Sequence, residues 1–380
     1  MKLTSSLRTL AASAMLFAVG TAGVSVAGAT TTPVVPPTHA LFVETDATAG
    51  NQILTYLRAS DGTVNFAGSY ATGGLGGVAA GATADPLASQ GGLLLTRSGT
   101  RLVATNAGSN TLSVFAVTGT SLQLVQKISS QGFFPNSLAA YGDLVTVLNA
   151  GGNGNVVSYH WVNGLLVPLT GQVRTLALGN TNPPNFVAGP GEVSYSPNGK
   201  FLIVADKHST NNFTVFTVSS AGALGATAVT TAAQNAVPFA FVFSPSGAIV
   251  AAEASNSSVS SYSLTNTGAL TALGTASDGA KALCWIASAR GYYFGSNAGS
   301  ATLSSFTVAA NGTVSLVNAT AASTHAGTTD EVTSADGHFL YVESGGAGAL
   351  DVFAVSSTGV LSPVETLWNL PAASEGLAIS

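Results

Sequence analysis

The chain reads as all-β, a seven-bladed β-propeller whose ring is closed by its last strand pairing into the first blade. Three observations predict this. A motif recurs through most of the chain: a Gly turn, six or seven residues to an Asn, Asp or Glu, then nine or ten to a Phe or Tyr. It begins with LLLTRSGTRLVATNAGSNTLSVFAV (Leu93 to Val117) and returns as Gly142/Asn149/Tyr159, Gly199/Asp206/Phe216, Gly247/Glu253/Tyr262, Gly291/Asn297/Phe306 and Gly337/Glu343/Phe353. Periods of that size, each holding four short strands, are the signature of a propeller. Second, Leu41 to Glu44 and Ile53 to Tyr56 supply the middle strands of a further unit that lacks its opening strand, while Glu375 to Ser380 is an opening strand without a unit. Pairing the two removes the bare edge that an open ring would expose. Third, continuous apolar runs such as Phe201 to Ala205 and Ala248 to Ala252 suit strands buried on both faces.

Within each unit the punctuation is specific. Ser196-Pro197-Asn198-Gly199 and Ser334-Ala335-Asp336-Gly337 carry the Asn-Gly and Asp-Gly pairs of tight hairpins. Alternation in Thr111-Leu112-Ser113-Val114-Phe115 predicts a half-exposed third strand. Two inter-blade connections are long, Ala71 to Gly92 and Gly171 to Gly191, and are expected to reach over the central funnel.

The N-terminal residues have another character. Lys2 and Arg8 precede an apolar stretch from Leu10 to Val26 and the small-residue site Ala27-Gly28-Ala29. Residues 1–29 therefore read as a secretory signal peptide, 30–38 as a flexible leader, and 39–380 as a single propeller domain. The expected location is outside the cytoplasm, extracellular or periplasmic, with no membrane span. Only 7% of the chain is charged, with 11 Lys and Arg against 16 Asp and Glu. That is far below the ~25% of an average soluble protein, so the surface must be mostly Ser, Thr, Asn, Gly and Ala. No basic stripe exists for nucleic acid. Cys284 is the lone cysteine, set between Leu283 and Trp285, and reads as a buried, inert thiol. A monomer is expected.

The units SYSPNGKFLIVADKHSTNNFTVF (Ser194 to Phe216) and SADGHFLYVESGGAGALDVF (Ser334 to Phe353) resemble those of the seven-bladed lactonase-like propellers, which include 6-phosphogluconolactonase and the fungal carboxymuconate cyclase. Ala104 to Phe115 is also similar to the YVTN-type repeats of surface propellers. The first resemblance implies a funnel lined by His and Arg at the openings of several first strands, which bind the substrate carboxylate or phosphate. Here the matching segments, Ala188 to Val193, Val237 to Ala240 and Thr328 to Val332, contain no His or Arg. Glu192, Asp330 and Glu331 stand there instead, so an anionic lactone is not the expected substrate.

No nucleophile elbow, phosphate loop or HExxH pair is present, and neither a metal nor a cofactor is expected. The candidate site is the ring of residues closing the second strands. Carboxylates crowded at a funnel mouth acquire raised pKa values suited to acid–base work. On that ground Glu253, Asp206, Glu343 and Glu192 are the catalytic candidates. Glu44, Asn106, Asn149, Lys207, His208, Asn297 and Glu331 are the ligand-binding candidates, with Lys207 and His208 as cations. The other reading of the ring is that each side chain caps its own turn. Phe133, Phe134, Phe186, Phe239 and Trp285 fall near first-strand openings as blade packing or as a pocket wall. Arg174, in a long connection, is the arginine placed to reach the funnel. Two functions remain: an exported lactonase-like propeller that hydrolyses or binds a small neutral lactone or sugar in its funnel, or a noncatalytic binding propeller of the YVTN kind with an extracellular partner. An open funnel with converging polar groups would mark the enzyme; a plugged face would mark the binder.

Overall fold

A computed structural model describes residues 39–207 and 211–380. The segments read as signal peptide and leader, and His208, lie outside the described residues. The described chain forms seven four-stranded antiparallel sheets. Six are built in chain order. The other is ordered Leu377–Ile379, His39–Glu44, Gln52–Arg58, Val64–Ala71, so the last strand opens the first blade as expected. Its register pairs Leu41 with Ile379, Phe42 with Ala378 and Val43 with Leu377. Glu44 N–H extends the ladder to the Gly376 carbonyl at 2.9 Å.

Counting that sheet as blade 1, the first strands of blades 2 to 7 are Leu93–Leu95, Pro135–Tyr141, Pro190–Tyr195, Pro238–Phe243, Leu283–Ala289 and Asp330–Thr333. Each touches the next, and the last touches Leu377–Ile379, which gives a closed cycle around an axis. Strand alternation distributes the core between blades. Leu41 and Val43 face Tyr341, Leu350 and Val352 of blade 7, whereas Ala40 and Phe42 face Leu102, Ala104 and Phe115 of blade 2. Both faces of a blade are thus buried, each large side chain contributing about 1.5–3 kcal/mol.

The recurring aromatic has a local cause. Tyr56, Phe115, Tyr159, Tyr262, Phe306 and Phe353 each sit where the register between third and fourth strands slips by a β-bulge. A bulge sharpens the twist of the outer strand, and the buried ring fills the blade interface at that point. Blade 4 replaces the bulge with an interrupted outer strand, Val229–Ala232, and an isolated bridge between Val218 and Leu224.

The third strand departs from expectation. Leu112 to Phe115 is buried on both faces, Ser113 included. Ser113 tolerates burial because its hydroxyl donates to the Thr72 carbonyl at 2.8 Å and accepts from Asn106 Nδ2 at 2.9 Å. Alternation of exposure belongs to the fourth strands, such as Ser121–Ser129.

Because the closing pairs join residues more than 330 positions apart, removing Glu375 to Ser380 should abolish cooperative unfolding, as followed by circular dichroism against temperature. A truncated chain that melts like the full one would refute closure by this strand.

Candidate functional site

The seven second-strand ends lie on one face, beneath the connections that pass from each fourth strand to the next first strand. Glu44, Asn106, Asn149, Glu253, Asn297 and Glu343 are fully buried there and Asp206 nearly so. Several of these side chains bond within their own blades. Asn106 donates to Ser113 and Asn297 to Ser304, both at 2.9 Å, and Asn149 donates to Asn155 at 2.8 Å. Glu253 accepts from Ser260, from the Tyr262 hydroxyl and, at 2.8 Å, from Asn235 Nδ2. Glu44 accepts from Asn51 at 2.6 Å. The period of two explains the partner: Asn106 and Asn297 pair with Thr111 and Thr302, and the serines lie two residues on, on the same side. Glycines seal two of these positions. A Cβ on Gly74 would lie 2.3 Å from Asn106 Cγ, and one on Gly132 would lie 2.5 Å from Asn149 Cγ.

The axis is occupied by the chain itself. In the connection from blade 1 to blade 2, Pro86 to Ser89 are buried, and their polar groups bond to several blades. Glu375 accepts from Leu87 N–H at 2.7 Å and from Ser89 N–H at 3.2 Å. Ser89 Oγ donates to the Asn136 carbonyl at 2.7 Å, and the Ser89 carbonyl accepts from Trp285 Nε1 at 2.9 Å. Gln90 exchanges two bonds with the backbone of Ile286, at 3.1 and 3.2 Å, and Lys207 Nζ donates to the Ala88 carbonyl. The second long connection joins over the same face: Ala80 donates to the Pro184 carbonyl at 2.8 Å and accepts from Phe186 at 3.0 Å. Nothing in the sequence motif announces this plug. Its composition, Asp85-Pro86-Leu87-Ala88, is a short apolar island in a Gly-rich loop, which is the only signal available.

Around the plug stands a cluster of carboxyl groups. Of the chain's 16 Asp and Glu, 12 are buried, against the usual preference of these residues for the surface. Burial raises Glu44, Asp46, Glu192, Glu343 and Glu375 well above the carboxylate range, and mutual repulsion adds to it: Asp46 on Glu44, Asp85 on Asp46, Asp330 on Glu192 and Glu343, and Asp85 on Glu375. Asp330 is pushed up to about 7 and Glu331 to about 8, again chiefly by burial. Backbone donors oppose this in part. Phe241 N–H reaches Glu192 at 2.6 Å, and Leu377 N–H reaches Asp330 at 2.9 Å. Asp46, Asp85, Asp330 and Glu375 were not among the ring residues singled out by spacing, yet the fold gathers them with Glu44, Glu343, Glu192 and Glu331. Among the described residues no group of three or more His, Cys, Asp or Glu is arranged to hold a metal ion.

Lys207 is the amine that enters this region. It is buried, its Nζ stands 3.9 Å from the centre of the Phe239 ring and 5.8 Å from that of Phe186, and burial lowers its pKa to about 8 against the pull of Asp85, Cys284, Glu375 and Asp206. Arg174 does not reach the funnel. It lies in the fourth strand Leu165–Thr175, where Nε donates to the Gly225 carbonyl at 2.8 Å and Nη1 to the Gly171 carbonyl at 2.9 Å, so the strand extends through the residues taken as a loop. Cys284 is buried and burial raises its thiol. Phe239 and Trp285 pack edge to face at 5.1 Å, Phe134 is buried, and Phe133 is exposed.

Beside the plug a cavity of about 220 Å³ is bounded by Phe186, Val187, Lys207, Val237, Phe239, Ala254, Ser255, Ala282 and Cys284. Val237 has φ +62°, unusual for a β-branched residue. Its N–H is held by Asn211 Oδ1 at 2.7 Å, and Phe134 repeats the geometry with Asn110 at 2.8 Å, so the turn belongs to the scaffold. Larger grooves, of about 570 and 600 Å³, lie between hairpin turns such as Asn198 to Phe201 and Arg97 to Arg101, away from the carboxyl cluster.

Residues 162–286, from the end of blade 3 to the first strand of blade 6, match the family model of the lactonase seven-bladed β-propeller. The fold is that of the lactonase-like propellers. Solved structures agree over nearly the whole ring. A provisionally assigned 6-phosphogluconolactonase from Bacteroides fragilis superposes with a TM-score of 0.72 at 18% identity, over 91% of this chain and 99% of that one. The periplasmic gluconolactonase of Pseudomonas aeruginosa gives 0.68 at 19% identity, over 90% and 98%. Virginiamycin B lyase from Staphylococcus aureus gives 0.52 at 13%, over 75% and 86%. No curated protein matches the chain. At these identities the likeness is one of fold, and the centre of this propeller offers buried acids, with Lys207, where the family resemblance implies His and Arg.

The carboxyl cluster makes stability depend on pH. A carboxyl raised in the folded state binds more protons there than in the unfolded chain, so its stabilising effect is complete below about pH 4 and is lost as pH rises through 7 to 8. Lys207 acts in the opposite sense, but only above about pH 8. The melting temperature should therefore be higher at pH 5 than at pH 8, by on the order of 10 °C, and Glu343→Gln should reduce the difference. Scanning calorimetry that finds no fall between those pH values would contradict the raised carboxyls. Separately, Glu253→Gln should cost about 1–3 kcal/mol in denaturant unfolding, because it turns an acceptor of three donors into a partial donor.

Proposed function

We propose that the protein is an exported lactonase-like propeller that binds a small, neutral, largely apolar ring, of the aliphatic lactone kind, in the cavity between Phe186 and Phe239. The observation that carries this is the cavity wall. Its bounding residues are chiefly Phe, Val and Ala, with Ser255, Cys284 and the Lys207 side chain. A sugar placed there would leave hydroxyls unpaired, each costing about 1–3 kcal/mol. A hydrocarbon ring with one carbonyl loses far less.

Binding rather than turnover is the reading the backbone supports. Acyl transfer needs donors aimed at the developing oxyanion. Four of the N–H groups around the cavity are already engaged: Val237 with Asn211, Ala254 with the Val237 carbonyl at 2.9 Å, Phe186 with Ala80, and Val187 with Asn185 at 3.1 Å. Phosphorylated lactones fit still less well. A phosphate carries about −1.5 to −2 charges, and no Arg borders the cavity. Export is supported by the sequence of residues 1–29 and by the likeness in fold to the periplasmic gluconolactonase of Pseudomonas aeruginosa.

On mature protein expressed with its leader, calorimetric titration with unsubstituted γ- and δ-lactones should give saturable binding, while 6-phosphogluconolactone should neither bind nor turn over above spontaneous hydrolysis. Ala254→Trp, which fills the cavity, should abolish lactone binding without loss of the fold. Binding of the phosphorylated lactone in preference to the neutral ones would overturn the proposal.

A further inference from the structure

Lys207 has no part in holding the ring closed, and its surroundings are unusual for a lysine. Its side chain borders the cavity, and its Nζ lies 3.9 Å from the centre of the Phe239 ring, which borders the cavity as well. One hydrogen bond, to the Ala88 carbonyl, holds the amine on the plug. We infer that Lys207 is a carbonyl-capturing amine, which forms an imine with small neutral aldehydes or ketones that enter the cavity between Phe186 and Phe239.

The chemistry follows from the neighbours. Nζ must be unprotonated to attack, and desolvation among aromatic rings favours the neutral amine, with a pKa lowered to about 8. Buried lysines tuned in this way are the ones that form Schiff bases. The nitrogen lone pair forms a bond to the carbonyl carbon, the carbonyl oxygen takes the proton released by nitrogen, and a carbinolamine results. Its hydroxyl leaves as water after taking a second proton, the nitrogen–carbon double bond forms as an iminium, and return of the nitrogen's remaining proton to the acid that supplied the second one leaves the imine. No oxidant or reductant is needed. The proposed proton source is the neighbouring acid cluster: Asp85 and Glu375 act electrostatically on Lys207, and burial raises the Glu375 carboxyl well above the carboxylate range, which favours its proton-carrying form. Asp206 and Cys284 are the other titratable groups that act on the amine among the described residues. The carbon wall selects the reagent, since a charged carbonyl compound would pay its desolvation there without a partner.

The inference rests on the cavity proposed above as the lactone site, and one experiment separates the two. The full mature chain is incubated with butanal and sodium cyanoborohydride at pH 7, and alkylated lysines are quantified by peptide mass spectrometry. Lys207 should be alkylated faster than the exposed Lys127, Lys200 and Lys281, by about an order of magnitude or more given its larger neutral fraction. Its rate should rise with pH and level off above about pH 8, and a saturating γ-lactone should protect it. Labelling of Lys207 no faster than the exposed lysines would overturn the inference, even if lactone binding is found. Fast labelling without lactone protection or binding would leave the amine chemistry standing and remove the lactone reading.

Discussion

Every other feature depends on the three residue pairs that join Leu377–Ile379 to Leu41–Val43. An open array of sheets would expose a backbone edge at each end. Closing it fixes the circumference, and with it the distance across which the first strands face one another. The closing strand also delivers chemistry. Glu375, just before it, accepts from the plug, and Gly376 brings its backbone against Glu44. The seam and the centre are therefore the same piece of chain, so a change at the C-terminus acts on both.

The second constraint is the treatment of charge. A chain with so few ionisable groups would be expected to spend them on the surface, for solubility. Instead most of the acids are buried, a group of them around the axis, and the surface is left largely to neutral polar residues. Isolated ionised carboxylates cannot be buried at tolerable cost. They persist here through two devices: proton retention, as the raised values of Asp330 and Glu331 indicate, and backbone N–H donors such as those of Leu87 and Phe241. That arrangement stiffens the centre and fills it. The face cavity is what remains beside a filled axis, so the proposed ligand site lies at the margin of the funnel.

The ring of second-strand residues shows how a repeated position gains a repeated structural duty. In Asn106, Glu253 and Asn297 the side chain meets a Ser two residues along the partner strand, and the same geometry serves amide and carboxylate alike. The caps bind the second strand to the third beneath a loop that would otherwise leave polar groups unpaired.

Sequence by itself determined the blades, their number and their closure. Those depend on hydrogen-bond patterns and alternation within some forty residues, and such patterns are written locally in Gly turns, polar strand ends and aromatic bulge positions. It placed Glu44, Asn106, Asn149, Asp206, Glu253, Asn297 and Glu343 at equivalent positions for the same reason. Tertiary structure alone decided what occupies the axis. Leu87 meets Glu375 across 288 positions and Gln90 meets Ile286 across 196, and no periodicity relates those segments. It also decided that Arg174 lies in an outer strand and that Ser113 is buried, because an outer strand's length and a hydroxyl's partner are set by the neighbouring strand. Lys207 was visible as a cation beside Asp206. Its place between two aromatic rings and a buried loop, which sets its chemistry, arises only when blades 4, 5 and 6 close around the plug.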